Sequence, residues 1–74
     1  MKFFMLIRTK IGSEGDVLKK LRKIKEIEES YVLNCEYDIL IGFTVQNEEE
    51  MYKLRNEKIN RIPGIPETLT LKCL

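Results

Sequence analysis

Residues 28–46 read EESYVLNCEYDILIGFTVQ, and this stretch decides the fold. Tyr31, Val32 and Leu33 mark a strand over Glu28–Asn34, Cys35–Tyr37 make a turn, and Asp38–Gln46 returns as a second strand. In that returning strand Ile39, Ile41, Phe43 and Val45 share one face, while Leu40, Gly42 and Thr44 share the other. The hairpin is flanked on each side by a helix and then a strand. Toward the N-terminus, Ser13 followed by Asp16 gives a start resembling a capping box, and Val17, Leu18, Leu21 and Ile24 recur at helical spacing. Lys19, Lys20, Arg22 and Lys23 lie on the outer face of this helix, near the negative end of its dipole, and read as a solvated surface. Beyond a turn at Lys10–Gly12 lies the strand Lys2–Thr9, where Phe3, Met5 and Ile7 alternate with Phe4, Leu6 and Arg8.

Toward the C-terminus, Asn47 caps a second helix whose first turn carries Glu48, Glu49 and Glu50, where the dipole favours anions. Met51, Leu54 and Ile59 supply its buried side, helped by Tyr52, and Pro63-Gly64 ends it after Arg61. The final strand, Glu67–Leu74, alternates Leu69, Leu71 and Cys73 with Thr68, Thr70 and Lys72, which places Cys73 in the core. The order β-α-β-β-α-β predicts an α+β, ferredoxin-like fold: a four-stranded antiparallel sheet with two helices on one face, forming a single domain over 1–74. The helices cover one face only. Because the first strand is apolar on both faces and Leu40 adds to the uncovered one, that side needs a cover. At 74 residues the simplest is a second copy packed sheet to sheet, a dimeric α/β barrel-like assembly.

Composition narrows the function. Thirteen Lys+Arg against twelve Asp+Glu leave a net charge of +1, which speaks against direct DNA or RNA binding. No apolar run is long enough to cross a bilayer, and MKFFMLIRTK lacks a small-residue cleavage site, so it reads as a strand. There is no histidine, so a Cys/His zinc site, a catalytic triad and a histidine base are excluded. Cys35 and Cys73 form no CxxC pair, and Gly12, Gly15, Gly42 and Gly64 form no phosphate-cradling loop. No metal or cofactor is expected, and a reduced, cytoplasmic protein is. The absence of Ala and Trp beside abundant Ile, Leu, Lys and Glu is compatible with a heat-adapted source.

The chain resembles the C-terminal effector domain of Lrp/AsnC transcription regulators, the module called regulation of amino acid metabolism. Two stretches carry the resemblance, which spans essentially all 74 residues. One is Asn34-Cys35-Glu36-Tyr37-Asp38-Ile39, where the family usually reads Gly-x-Tyr/Phe-Asp. The other is Ile62-Pro63-Gly64-Ile65 leading into Thr68-Leu69-Thr70-Leu71, where the family has a Pro-Gly turn and then Thr-x-Thr. Full-length members carry a helix-turn-helix domain ahead of this module. Because Met1 leads directly into the first strand, a stand-alone version without that domain is expected. The resemblance implies amino-acid binding between subunits, dimers that assemble into even-numbered rings, and mixed assembly with full-length Lrp/AsnC regulators.

It also implies a ligand site built from Cys35, Glu36, Tyr37, Asp38, Thr68 and Thr70. Asp38 could accept an α-ammonium while neighbouring loop N–H groups receive the α-carboxylate; equally, it could simply cap the turn. Tyr37 offers a pocket wall and a hydroxyl, or a half-buried aromatic at a subunit interface. Thr68 and Thr70 offer hydroxyls, or ordinary strand residues. Cys35 departs from the family: it replaces a glycine that permits positive φ and close approach of a ligand to the backbone, so it narrows the pocket, alters the turn or removes binding. A nucleophilic thiol is disfavoured, because no histidine or CxxC partner is present and only the acidic Glu36 and Asp38 lie close in sequence.

Rival readings on the same plan find less support. Acylphosphatases need a phosphate loop that Arg8-Thr9-Lys10-Ile11-Gly12 does not resemble. A small dimeric ferredoxin-like monooxygenase stays open as a lesser alternative, because some lack cofactors, yet no histidine or buried polar cluster supports it; copper chaperones need a Cys pair, and RNA-recognition modules need stacking aromatics with a basic rim. An ACT domain would carry its ligand loop after the first strand, where Gly12 is the sole glycine. The chain is therefore read as a non-enzyme. The serious alternative is an oligomerisation unit without a ligand.

Overall fold

The computed structural model describes residues Met1–Leu74. Its elements are β1 (Lys2–Arg8), α1 (Glu14–Leu21), β2 (Ile27–Val32), β3 (Ile39–Thr44), α2 (Glu48–Leu54) with a π-helical turn over Arg55–Ile59, and β4 (Glu67–Lys72). The strands form one antiparallel sheet in the order β2-β3-β1-β4, so β1 and β3 are central and β2 and β4 are edges. This is the expected ferredoxin-like plan. Phe3, Met5 and Ile7 of β1 lie beside Phe43, Ile41 and Ile39 of β3, and all six are buried under the helices. Val17 and Leu21 of α1, Met51 and Leu54 of α2, Ile59 and Val45 complete the twelve-residue core. The Phe3 and Phe43 rings stack with centroids 5.8 Å apart.

The two helix starts are built differently. Asn47 is extended (φ −156°, ψ 174°), and its side chain accepts the Glu50 N–H at 2.9 Å, as expected of an N-cap. Glu50 reaches back to accept the Gln46 N–H at 2.9 Å. Ser13 is already helical (φ −100°, ψ −4°), and its hydroxyl makes no capping bond, so the expected box does not form. Gly12 donates its N–H to Glu14 instead.

Two other expectations, for Tyr52 and Cys73, are corrected, and one, for Ile59, is met by an unexpected route. Tyr52 is exposed, with Arg55 over its ring at 4.9 Å, and contributes nothing to the core. Ile59 does reach the core, five residues after Leu54 rather than three or four, and the π turn supplies that extra residue. Cys73 is exposed, while Leu69 and Leu71 are 44% and 43% exposed. The cause is register. Thr70 pairs with Met5 and Thr68 with Ile7, so the threonines face the helices and the leucines face the open side beside Leu6 and Phe4.

The inter-element loops are tied together. Lys10 donates its N–H to the Gly64 carbonyl at 2.9 Å. Gly64 itself sits at φ +94°, where a Cβ would come within 3.0 Å of the Ser13 Cβ. A residue with a side chain there would strain the backbone and push the start of α1 off the β4 approach.

Candidate functional site

The open face of the sheet has an apolar centre and two polar ends. Phe4, Leu6, Leu40, Leu69 and Leu71 occupy the centre, none of them fully buried. At one end a bulge lets Glu28 and Glu29 both reach Lys2, at 3.0 and 2.9 Å, and Thr44 donates its hydroxyl to Glu28 at 2.9 Å. Gly42 makes room for this cluster, since a Cβ there would lie 2.7 Å from the Glu29 Cγ and 3.0 Å from the Phe4 ring. Hydrogen bonds donated to Glu29 and then Glu28 hold the Lys2 ammonium pKa above its usual value. The Lys2 hydrogen bond, followed by that of Thr44, holds the Glu28 carboxyl below its own.

At the other end stands the hairpin between β2 and β3. Leu33 donates its N–H to the Asp38 carbonyl at 2.8 Å, closing the loop, and Asp38 donates its own N–H to the Ile7 carbonyl at 2.9 Å. The Asp38 carboxylate is already engaged, because Oδ2 accepts both the Thr9 N–H at 2.7 Å and the Thr9 hydroxyl at 3.1 Å. Thr9, only 7% exposed, is the one buried polar side chain, and this pairing satisfies it. Asp38 therefore fixes the exit of β1 to the hairpin.

Cys35 is exposed and donates its S–H to the Tyr37 carbonyl at 3.3 Å. No residue other than glycine has positive φ, so the turn at Cys35 is built without the left-handed conformation that a glycine would allow. Glu36 is exposed. Tyr37 donates its hydroxyl to Glu67 at 3.0 Å, and the Arg8 guanidinium lies over its ring at 5.2 Å. The Glu67 hydrogen bond, aided by burial, raises the Tyr37 pKa, with Arg8 pulling the other way.

Thr68 and Thr70 do not join this group. They are half-buried on the helix side, lining with Phe3, Met51, Tyr52 and Arg55 a groove of about 400 Å³ between β4 and α2. The six expected residues thus divide between the two faces of the sheet. The widest concavity, about 530 Å³, lies elsewhere, over Val45 and Leu54, where Lys58 pairs with Glu26 at 2.6 Å. None of the six expected residues lines it.

Sequence reading missed Arg8, Thr9 and Glu67. A signal for Arg8 existed: it is the residue at which the Phe4, Leu6 alternation turns from apolar to charged.

The family model of the Lrp/AsnC ligand binding domain matches residues 2–74. The HTH-type transcriptional regulator FL11 of Pyrococcus abyssi is 34% identical over 74 residues, which are all of this chain and 48% of that protein. The chain thus spans about half the length of that curated relative. The structure of FFRP-DM1 is similar at 30% identity and a TM-score of 0.92, covering 99% of this chain and 97% of that one. Escherichia coli AsnC is similar at 27% identity and a TM-score of 0.93, covering 99% of this chain and 50% of its own. The relatives are transcription regulators, and this chain belongs to the Lrp/AsnC ligand binding domain family.

Proposed function

We propose that this chain is a cytoplasmic effector module that works as a face-to-face dimer, holds a small amino acid between subunits beside the Cys35–Asp38 hairpin, and acts on transcription by mixed assembly with longer Lrp/AsnC regulators. The observation that carries the reading is the open sheet face, where an apolar stripe of Phe4, Leu6, Leu40, Leu69 and Leu71 runs toward the polar hairpin end. A side-by-side stripe of that kind across β3, β1 and β4 is a surface for another protein face, and the same chain offers its complement by two-fold symmetry. Pairing the stripe would put Tyr37, Glu67 and Arg8 at the mouth of the joint, within reach of a ligand carrying both charges.

Asp38 acts in this site by position. With Oδ2 held by Thr9, it presents its remaining oxygen to a ligand ammonium while keeping the hairpin in place. That engagement also favours a second reading, in which Asp38 is purely structural and the dimer binds nothing.

Light scattering and a thermal-shift screen against the twenty amino acids test the proposal together. The expected results are a mass of at least twice 8.8 kDa at micromolar concentration and a rise in melting temperature with one amino acid or a few. A stable monomer ends the dimer reading. A dimer indifferent to all twenty leaves the structural one.

A further inference from the structure

Five cations stand within seven consecutive residues at the end of α1 and in the turns after it: Lys19, Lys20, Arg22, Lys23 and Lys25. All five are exposed, and none forms an ion pair, whereas Lys2, Arg8, Lys58 and Lys72 each have a carboxylate partner. The acids nearest in sequence are mostly occupied. Glu14 accepts the Gly12 N–H, Glu26 holds Lys58, and Glu28 and Glu29 hold Lys2, so Asp16 alone stands free before five bases. Nor do these side chains cap the helix, because the N–H groups of Arg22, Lys23 and Ile24 already donate to the carbonyls of Leu18, Lys20 and Leu21. Arg22 donates its Nε to the Ser30 hydroxyl at 3.0 Å and leaves its terminal nitrogens without a partner. The net charge of +1 averages over this patch: without it, eight of the thirteen cations remain against twelve acids.

The chemistry of the patch selects its partner. Protein interfaces are poor in lysine and rich in aromatic anchors, and residues 14–27 contain no aromatic. Insertion into a lipid surface needs a free apolar helix face, and that of α1, Val17 and Leu21, is fully buried against the sheet. Duplex DNA carries about one charge per 1.7 Å of its axis, dense enough to meet neighbouring cations together, and each contact releases a counterion. We propose that the Lys19–Lys25 patch is a sequence-independent docking site for the phosphate backbone of duplex DNA. It goes beyond the effector reading and holds whether or not an amino acid binds. Because α1 lies across the sheet from Phe4, Leu6 and Leu40, covering the open face leaves the patch free. The contact reads no base, so it adds affinity without specificity.

Fluorescence anisotropy of the intact protein on two labelled duplexes of unrelated sequence, read as salt is raised, tests this, with phosphatidylserine vesicles as a parallel probe. Wild type should bind both duplexes alike. Five phosphate contacts should give log affinity against log salt a slope of about −4.5, a loss of about 500-fold for a fourfold rise in salt. Lys19→Gln with Lys23→Gln should flatten that slope by about 1.8. Lys53→Gln with Arg61→Gln removes the same charge from exposed, unpaired positions outside the patch and should leave the slope unchanged. Equal effects of the two pairs would mean that net charge alone attracts DNA, and that overturns the proposal. So does an absence of binding at low salt, or a preference for one duplex of about tenfold or more. Vesicle binding as tight as DNA binding overturns it too, by making the patch a membrane contact.

Discussion

The two faces of one sheet carry almost the same residue types and do different work. On the helix side, Phe3, Met5, Ile7, Ile39, Ile41 and Phe43 are closed off by α1, α2 and the π turn, with nothing left for a partner to complete. On the other side Phe4, Leu6 and Leu40 occupy the alternate positions of the same two strands, yet remain partly exposed. The difference lies in what surrounds them. The helix face is apolar across both central strands and turns polar at Thr68 and Thr70 on the β4 edge, whereas the open face ends in the Lys2–Glu28–Glu29 cluster at one side and Arg8–Glu67–Tyr37 at the other. An apolar centre with charged ends resembles an interface more than a core.

The largest effect should come from the closed face. Phe43→Ala removes a fully buried ring that stacks on Phe3 and should destabilise the fold by about 3–5 kcal/mol, read as a drop in the denaturant midpoint. A loss below about 1 kcal/mol would mean that the two faces are not energetically distinct.

A substitution at the open face should separate assembly from folding. Leu40→Glu puts an unpaired charge in the middle of the apolar stripe, and burying such a charge costs several kcal/mol. Self-association should weaken at least about a hundredfold while circular dichroism keeps its native shape. If Leu40→Glu unfolds the chain outright, the open face is part of the core and the contrast between the faces is wrong.

The two halves of the chain give a smaller contrast. Asn47→Ala removes a capping bond seen at 2.9 Å and should cost about 1 kcal/mol by denaturant unfolding. Ser13→Ala, at the matching place in the first half, removes no capping bond and should cost no more than a few tenths of a kcal/mol. Equal losses would show that the Ser13 hydroxyl caps α1 in solution.

These contrasts also show what the sequence can disclose. The alternation in Lys2–Arg8 and Ile39–Thr44, the Asn47 cap and the Pro63-Gly64 stop are local patterns, and they suffice for the order of elements and the buried face of the central strands. The facing of β4 is different. Leucines alternate with threonines there, either set could face the helices, and only the pairing of Thr70 with Met5 decides. An edge strand only partly covered by helices can afford threonine inside and leucine outside. The π turn hides in the five-residue step from Leu54 to Ile59, which a helical template reads as a mismatch. The site is less legible still, because its contacts cross the chain: Asp38 to Thr9 over 29 residues and Tyr37 to Glu67 over 30. No periodicity links such pairs, so the hairpin motif indicates where the site lies and leaves open what each side chain holds.

The smallest effect expected is in pH, and it sharpens the comparison most. Glu28 on the open face and Glu26 on the helix side are both held below the usual carboxyl range by a lysine hydrogen bond, from Lys2 and Lys58 respectively. A depressed carboxyl stabilises the fold above its unfolded pKa, and that contribution is lost as pH falls from about 4.5 through the folded value. Lys2 is shifted upward, so its contribution is complete below about 10.5 and fades only as pH rises through its folded value. Stability should therefore be flat through neutral pH and decline on both sides, modestly, because these pairs face solvent. Dimerisation through the open face, as proposed, would change that for one pair only. Covering the open face removes water from around Lys2 and Glu28 and leaves Lys58 and Glu26 as they were. The acid limb of the melting profile should then steepen with protein concentration, and Glu28→Gln should abolish the steepening while Glu26→Gln does not. An acid limb that is independent of concentration in all three proteins would place the Lys2 cluster outside any subunit joint.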